Sequence, residues 1–478
     1  MTLAITAGVA LAAGVAAAFL RVRAPRPATI VGIFGLLATA VAAAAISPDD
    51  ILPFGSVRLE GSELVRAVAM VWAASGAGLV VIDALGRGSH AVAAPALLGI
   101  GATVLALGAT DGEASFAFLA AGGVATVVLP AAAAGRSRAA VAWRALRTVV
   151  IAGFLGLGVI AWESSPAGPL GAGAFGGAVD PAGTAGIGLG LIAVVAAVAL
   201  RTGAIPTHVW AARLVEAIPS AAVPAALAWG GAAFALVAAS WAVAALGPEA
   251  SGLGVERGFV AVIAGATLLL GSAAAFLHDD IEHVVGYSIV ADAGIVLLAF
   301  VALDPAVQRP LGAWVLAYAT VKTALAGWAA AVRGRFGLRR VSDLRGWARR
   351  SPLLAVGLLL IIVGAVGIPG SAAANARARL VTLAVDPPFE ALLLAAAVAP
   401  IAVLGRLLVA GWRTSPSGGG GIDGVAADPG DRVWRAQPRV VAPALLVIAL
   451  AGLGVAVSLG AIPVGGGGVP QPAAVAPG

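Results

Sequence analysis

Cysteine is absent from this 478-residue chain, and lysine occurs once. Without cysteine there can be no disulfides, no zinc–thiolate sites and no cysteine-ligated iron–sulfur clusters. Charge is scarce too, since 11% of residues are Asp, Glu, Lys or Arg whereas 60% are hydrophobic. With a mean hydropathy of +1.02, that balance excludes a soluble globular protein and makes the chain polytopic in a membrane. A formal charge of +6 would suit a nucleic-acid binder if the arginines formed one basic surface. They lie in alternate loops instead, which is a topology signal, and no nucleic-acid partner is expected. No basic residue precedes the first apolar stretch, Leu3–Leu20, and Arg21, Arg23 and Arg26 follow it. That pattern predicts a retained, N-out transmembrane helix, not a cleaved signal peptide.

The single lysine is Lys322, inside Leu311–Val332, LGAWVLAYATVKTALAGWAAAV, where no other side chain is charged. As a helix this run spans roughly 33 Å, about one hydrocarbon thickness, with Lys322 near its middle. A cation at that depth costs at least ~2.5–3.5 kcal/mol, so it should face protein or water and mark function. The other 28 basic residues are arginines, which stay protonated, whereas a buried lysine can titrate in the working range. Lys322 is therefore the candidate titrating centre. Asp292, mid-span in the preceding apolar run, is its candidate partner.

Apolar runs of sufficient length predict an all-α integral membrane protein of about 14 transmembrane helices: 3–20, 28–46, 66–85, 91–110, 115–135, 145–162, 184–204, 219–246, 258–277, 283–303, 311–332, 351–385, 389–412 and 440–462. Their connections alternate in charge. Arg21, Arg23 and Arg26 are followed by Asp49 and Asp50, then Arg87, then Asp111 and Glu113, then Arg136, Arg138 and Arg144, then Asp180. The loop after the eleventh span is the most basic, running from Arg333 to Arg350. Basic loops face the cytoplasm, so both termini are expected outside a bacterial plasma membrane. The series Arg333–Arg350 reads as topology signal and lipid headgroup contact.

Two spans are too long for one crossing, and each carries a glycine–proline interruption: Gly203 and Pro206 in the first, Gly367 and Pro369 in the second. Proline removes a backbone donor and clashes with the preceding turn, so two broken helices are expected, lining protein or a watery cavity. The two prolines stand 163 residues apart, and the starts of spans four to eight and nine to thirteen differ by a similar interval. That spacing suggests two five-helix repeats, 91–246 and 258–412, which an odd helix count inserts in opposite orientation. Three helices would precede them within 1–90. A Gly-rich cytoplasmic linker at 413–439, a last helix at 440–462 and a flexible tail at 463–478 would follow.

Arg201–Pro219, RTGAIPTHVWAARLVEAIP, resembles the signature of the antiporter-like membrane subunits of respiratory complex I (NADH:quinone oxidoreductase) and of Mrp-type sodium/proton antiporters. His278–Asp292, HDDIEHVVGYSIVAD, resembles that family's loop entering a Tyr-Ser helix, and Tyr318–Gly327, YATVKTALAG, its helix with an intramembrane lysine. Ser342–Gly370 resembles its second broken helix, with Leu344, Gly346, Pro352 and Gly367-Ile368-Pro369 in place. The resemblance implies a proton- or cation-translocating subunit whose inverted repeats carry half-channels joined by a polar axis. Other membrane subunits and lipid are the implied partners, and redox chemistry belongs to those partners. No cofactor or metal site of its own is expected.

On this resemblance Lys322 matches the family's intramembrane lysine, with Tyr318 where a histidine is usual. Arg201 and Arg377 stand where the family has the lysines, or in one subunit a glutamate, of the broken helices. The glutamate expected near Ala121–Gly122 and the lysine expected near Gly231 are missing. Arginine does not release its proton in a protein, so Arg201 and Arg377 can set a field but not relay by titration. His208, two residues after Pro206, is a candidate shuttle or a packing residue bonded to carbonyls freed at the break. Glu216 matches an acidic position at a cytoplasmic entry. His278, Asp279, Asp280, Glu282 and His283 form a polar cluster that reads as a solvated loop. Besides translocation, a non-conducting scaffold subunit or a solitary secondary transporter fits the same pattern.

Overall fold

The computed structural model describes residues 1–55, 57–86, 88, 90–133, 139–163, 165, 181–396, 398–413 and 438–464. The glycine-rich linker beyond Arg413, the tail beyond Val464, and Arg87, Arg136, Arg138 and Asp180 lie outside the described residues.

Lipid offers no partner to backbone amides, so the apolar runs close their hydrogen bonds internally as helices. They are α1 (Thr2–Arg23), α2 (Pro25–Ala44), α3 (Glu63–Leu85), α4 (Ala93–Gly108), α5 (Gly112–Ala133), α6 (Ala139–Glu163), α7 (Pro181–Thr202), α8 (Val209–Ala217) and α9 (Gly230–Leu246). The order continues with α10 (Gly254–Leu277), α11 (Ile281–Ala302), α12 (Gln308–Phe336), α13 (Pro352–Val366), α14 (Ala372–Ala384), α15 (Pro387–Ala396), α16 (Ala399–Trp412) and α17 (Pro438–Leu459). The described residues are nearly all helical, as expected, and one loop adds a short antiparallel hairpin of Ile51–Phe54 (β1) with Val57–Glu60 (β2). Twelve helical stretches among the described residues are long and apolar enough to cross a membrane. Two of the fourteen expected spans are shorter: α4 has 16 residues, and α13 stops after 15 at the break before Gly367.

Burial grades from the centre outward. The stretches around α9, α11 and α12 are buried over 94%, 89% and 94% of their most apolar windows, while α1, α2 and α10 are buried over 33%. Helices apolar all round thus form the middle, and lipid-facing helices surround them. Small residues set the tightest crossing, as expected where lipid removes the hydrophobic drive between helices. A Cβ at Gly294 of α11 would lie 2.6 Å from Ala264 O and 2.7 Å from Leu268 N of α10, and one at Gly271 would lie 2.9 Å from Ala291 N. Backbone cannot step aside as a side chain can. Gly294→Val should therefore force α10 and α11 apart, cost about 1–3 kcal/mol or more, and lower the melting temperature of the protein in detergent; an unchanged melting temperature would contradict the crossing.

Both expected breaks are present and share one feature, although the Ile205–Pro206 peptide of the first is cis. Gly203 (φ +72°) and Gly367 (φ +75°) take the left-handed conformation that ends each first half-helix. At the first break Thr207 Oγ1 donates to Ala199 O and Ala204 O, each at 2.8 Å, and Ile205 N donates to Thr267 Oγ1 at 3.2 Å. At the second, Ser458 Oγ donates to Gly364 O at 3.1 Å, and Ser371 caps α14 by accepting from Ala374 N. The freed backbone groups are satisfied inside protein, which is what allows irregular chain at membrane depth. Thr207, not His208, takes the freed carbonyls.

Candidate functional site

Helical spacing places Trp314, Tyr318 and Lys322 on one stripe of α12. Lys322 is 2% exposed, and its Nζ lies 2.8 Å from Asp292 Oδ2 on α11. A buried lysine thus has a partly buried carboxylate at hydrogen-bond distance, as its position in an apolar run demanded. Beside the pair is a cavity lined by Ser272, Ser288, Asp292, Trp314, Lys322 and Arg377 among others. It offers about 20 Å³ to water centres, enough for a water molecule between polar groups.

Arg377 reaches this cavity from α14, just past the second break. It is 9% exposed, and its guanidinium carbon stands 5.7 Å from the centroid of Trp314, a cation–π contact. Trp314 and Tyr318 are in turn 6.0 Å apart between ring centroids. Two cations and one carboxylate therefore share one small polar space. Gly203, Pro206, Gly367 and Pro369 do not line it; of the two arginines near the breaks, Arg377 does.

Arg201 occupies a separate place in the last turn of α7. It is 2% exposed, and Nη1 donates to Ala226 O at 3.0 Å. Its guanidinium fits against two glycines, Gly230 of α9, where any side chain would crowd it, and Gly123 of α5, where a Cβ would be in ordinary contact with it. No carboxylate pairs with Arg201 among the described residues. The family-type glutamate and lysine missing from the sequence would fall beside these same glycines. Ala226 belongs to a π-helical turn, Pro224–Trp229, that leads into α9; such turns recur at functional sites. Trp229 ends that turn, stacks on Trp72 at 5.7 Å and donates Nε1 to Thr323 Oγ1 at 2.9 Å. The turn thereby joins the Arg201 contact to the residue next to Lys322.

His208 and Glu216 are not at the Lys322 pair. They gather at the basic-loop end with His278, His283 and Tyr287, whose ring centroids are 4.8–6.2 Å apart. His283 Nε2 is 3.1 Å from Glu216 Oε1, and Arg213 reaches the other oxygen of Glu216 at 3.7 Å. Tyr287 precedes Ser288, which lines the cavity, so this cluster adjoins the pair along α11. The solvated-loop reading of the cluster fails at Glu282. That side chain is 4% exposed, pairs with Arg333 and Arg339, and accepts from Ser220 at 3.2 Å. Part of the basic loop is thus an internal clamp and not headgroup contact. Trp314 was missed in the sequence, although its position two helical turns before Lys322 places it on the same face.

A polytopic helical bundle with two discontinuous helices and an intramembrane lysine–carboxylate pair is the class this geometry defines. The sequence model described as NADH:quinone oxidoreductase/Mrp antiporter, transmembrane, matches residues 179–401, the region holding both breaks and the pair. It is 32% identical over 277 residues to NADH-quinone oxidoreductase subunit N 1 of Streptomyces griseus, covering 57% of this chain and 56% of that protein. It is 29% identical over 183 residues to subunit N of Nitrosomonas europaea, covering 38% and 37%. The chain thus spans about half the length, or less, of the curated relatives it matches. Among solved structures, a chain of respiratory complex I from Thermus thermophilus superposes with a TM-score of 0.67 at 17% identity over 98% of this chain and all of that one. A chain of the Mrp complex from a Dietzia species gives 0.70 at 20% identity over 96% and 95%. At those identities the structures attest the fold.

Proposed function

We propose that the chain is a proton-translocating, antiporter-like subunit of a membrane-bound assembly of the NADH:quinone oxidoreductase or Mrp type. The observation that carries this reading is the 2.8 Å Lys322–Asp292 pair, joining two of the most buried helices beside a water-sized cavity. Lys322 is the switch, Asp292 its counter-charge, and Arg377 a fixed cation that biases both. Glu216, His283, His278 and His208 form the inlet at the basic-loop face, leading along Tyr287 and Ser288 to Asp292. Arg201, held by the π-turn, sets the field on the other side of the pair. A left-handed glycine at each break supports the inverted-repeat plan; the alternation of basic loops supports an orientation with those loops in the cytoplasm and both termini outside a bacterial plasma membrane. Other membrane subunits supply the driving reaction, and this chain carries the ion.

The test is proton pumping by membrane vesicles that contain the assembled complex. Asp292→Asn keeps the shape but removes the counter-charge, so pumping should fall at least ~tenfold, a change of about 1.4 kcal/mol in the rate-limiting step. Pumping at the normal rate with normal incorporation would overturn the reading. A non-conducting scaffold is the second reading, favoured by the glycines and arginine that replace titrating residues around Arg201. It predicts that deletion lowers complex yield while point variants of the pair pump normally.

A further inference from the structure

Glu163, the last residue of α6, takes no part in the chemistry above. It is fully buried, and neither carboxylate oxygen has a hydrogen-bond partner. Its Oε1 sits in the notch left by Gly190 of α7, a space that any Cβ at that position would fill. A carboxylate stripped of water and unpaired costs several kcal/mol as an ion, on the order of the loss of a charged hydrogen-bond network, and so is kept in such a place only with a bound proton or cation. A metal cation would need several oxygen ligands. Among the described residues no group of three or more His, Cys, Asp or Glu is placed to supply them.

Among the described residues no cation is paired with Glu163. Arginines at this end are engaged elsewhere: Arg257 donates to the carbonyls of Ala250, Val301 and Ala302, and Arg58 pairs with Glu60. Asp111 and Glu113 flank Gly112 at the start of α5, and Gly112 packs toward Ile160 on α6. The Glu256 carboxyl of α10 rests against Gly188, one turn-edge away from Gly190 on α7. Two turns inward, Gly156 lies against Phe116 and Phe234, whose rings meet edge to face at 4.8 Å.

We infer that the Glu163 carboxyl in the Gly190 notch is a second proton-binding site, which opens to the face opposite the arginine-rich loop and operates apart from the Lys322–Asp292 pair. Its occupancy reports the proton concentration on that face.

The experiment uses dicyclohexylcarbodiimide, an apolar reagent that adds to protonated carboxyls, on membranes containing the full chain in its complex. Adducts are located by peptide mass. An adduct at Glu163 should fall about tenfold for each pH unit above its midpoint, as a single proton site requires. It should be insensitive to sodium, absent in Glu163→Gln, and unchanged in Lys322→Arg, which keeps the ion pair while removing titration at that residue and so separates this inference from the proposed function. Recovery of the peptide without adduct at every pH would overturn it. So would labelling independent of pH, or protection by sodium at fixed pH.

Discussion

Lys322→Ala should abolish proton pumping by the assembled complex, and it should also weaken the subunit. The second effect follows from burial. Removing the lysine leaves Asp292 facing a cavity sized for about one water, with its Nζ partner at 2.8 Å gone. Breaking a buried pair in this way costs about 3–5 kcal/mol, because the remaining charge keeps its desolvation penalty. The double variant Lys322→Ala with Asp292→Ala removes both charges and should recover most of that loss without recovering pumping. Lys322→Arg separates pairing from titration. A guanidinium keeps the ion pair and the bundle but does not give up its proton, so the complex should assemble and still not pump. Vesicle pumping and complex yield, measured together on the three variants, decide the matter. Normal pumping in Lys322→Arg would mean that the residue pairs but does not relay.

The Lys322–Asp292 contact was legible because charge in an apolar run is costly wherever it lies, so two such residues on neighbouring spans should meet. The breaks were legible for a similar reason: Gly203-Ala-Ile-Pro206 and Gly367-Ile-Pro369 cannot continue a helix. Facing was not legible. Helices α9, α11 and α12 are buried nearly all round, so their sequences carry no hydrophobic stripe to say which side meets which neighbour. That is why Arg377 could be placed in a broken helix but not against Trp314. It is also why Glu282 was read with its polar neighbours as solvated loop, when it turns inward onto Arg333 and Arg339. The π-turn at Pro224–Trp229 has no signal beyond a proline at a helix start, which is an ordinary place for one. The hairpin at 51–60 was hidden by its own brevity, four residues a strand with Pro53 in the first.

Arg201 is where the loss of family residues and the structure meet. Two residues expected to titrate are absent from the sequence, and near their places one guanidinium is lodged against Gly230 and bonded to Ala226 O. A filler and a field-setting charge would look alike here, but they respond differently to substitution. Arg201→Ala removes volume and the donor at once. It leaves the Ala226 carbonyl in the π-turn without the 3.0 Å bond and opens a void, a change worth about 2–5 kcal/mol in a packed core, so complex yield should drop. Arg201→Met keeps most of the volume and removes only the charge and the bond. With no carboxylate paired to Arg201 among the described residues, no buried counter-charge is stranded, and the subunit should assemble. If the guanidinium sets the field on the Lys322–Asp292 pair through the linked turn, Arg201→Met should nonetheless pump at least ~tenfold more slowly than the parent, a barrier change of about 1.4 kcal/mol. Equal pumping by Arg201→Met and the parent would reduce Arg201 to packing, and with it the part of the polar axis that lies in the first half of the chain.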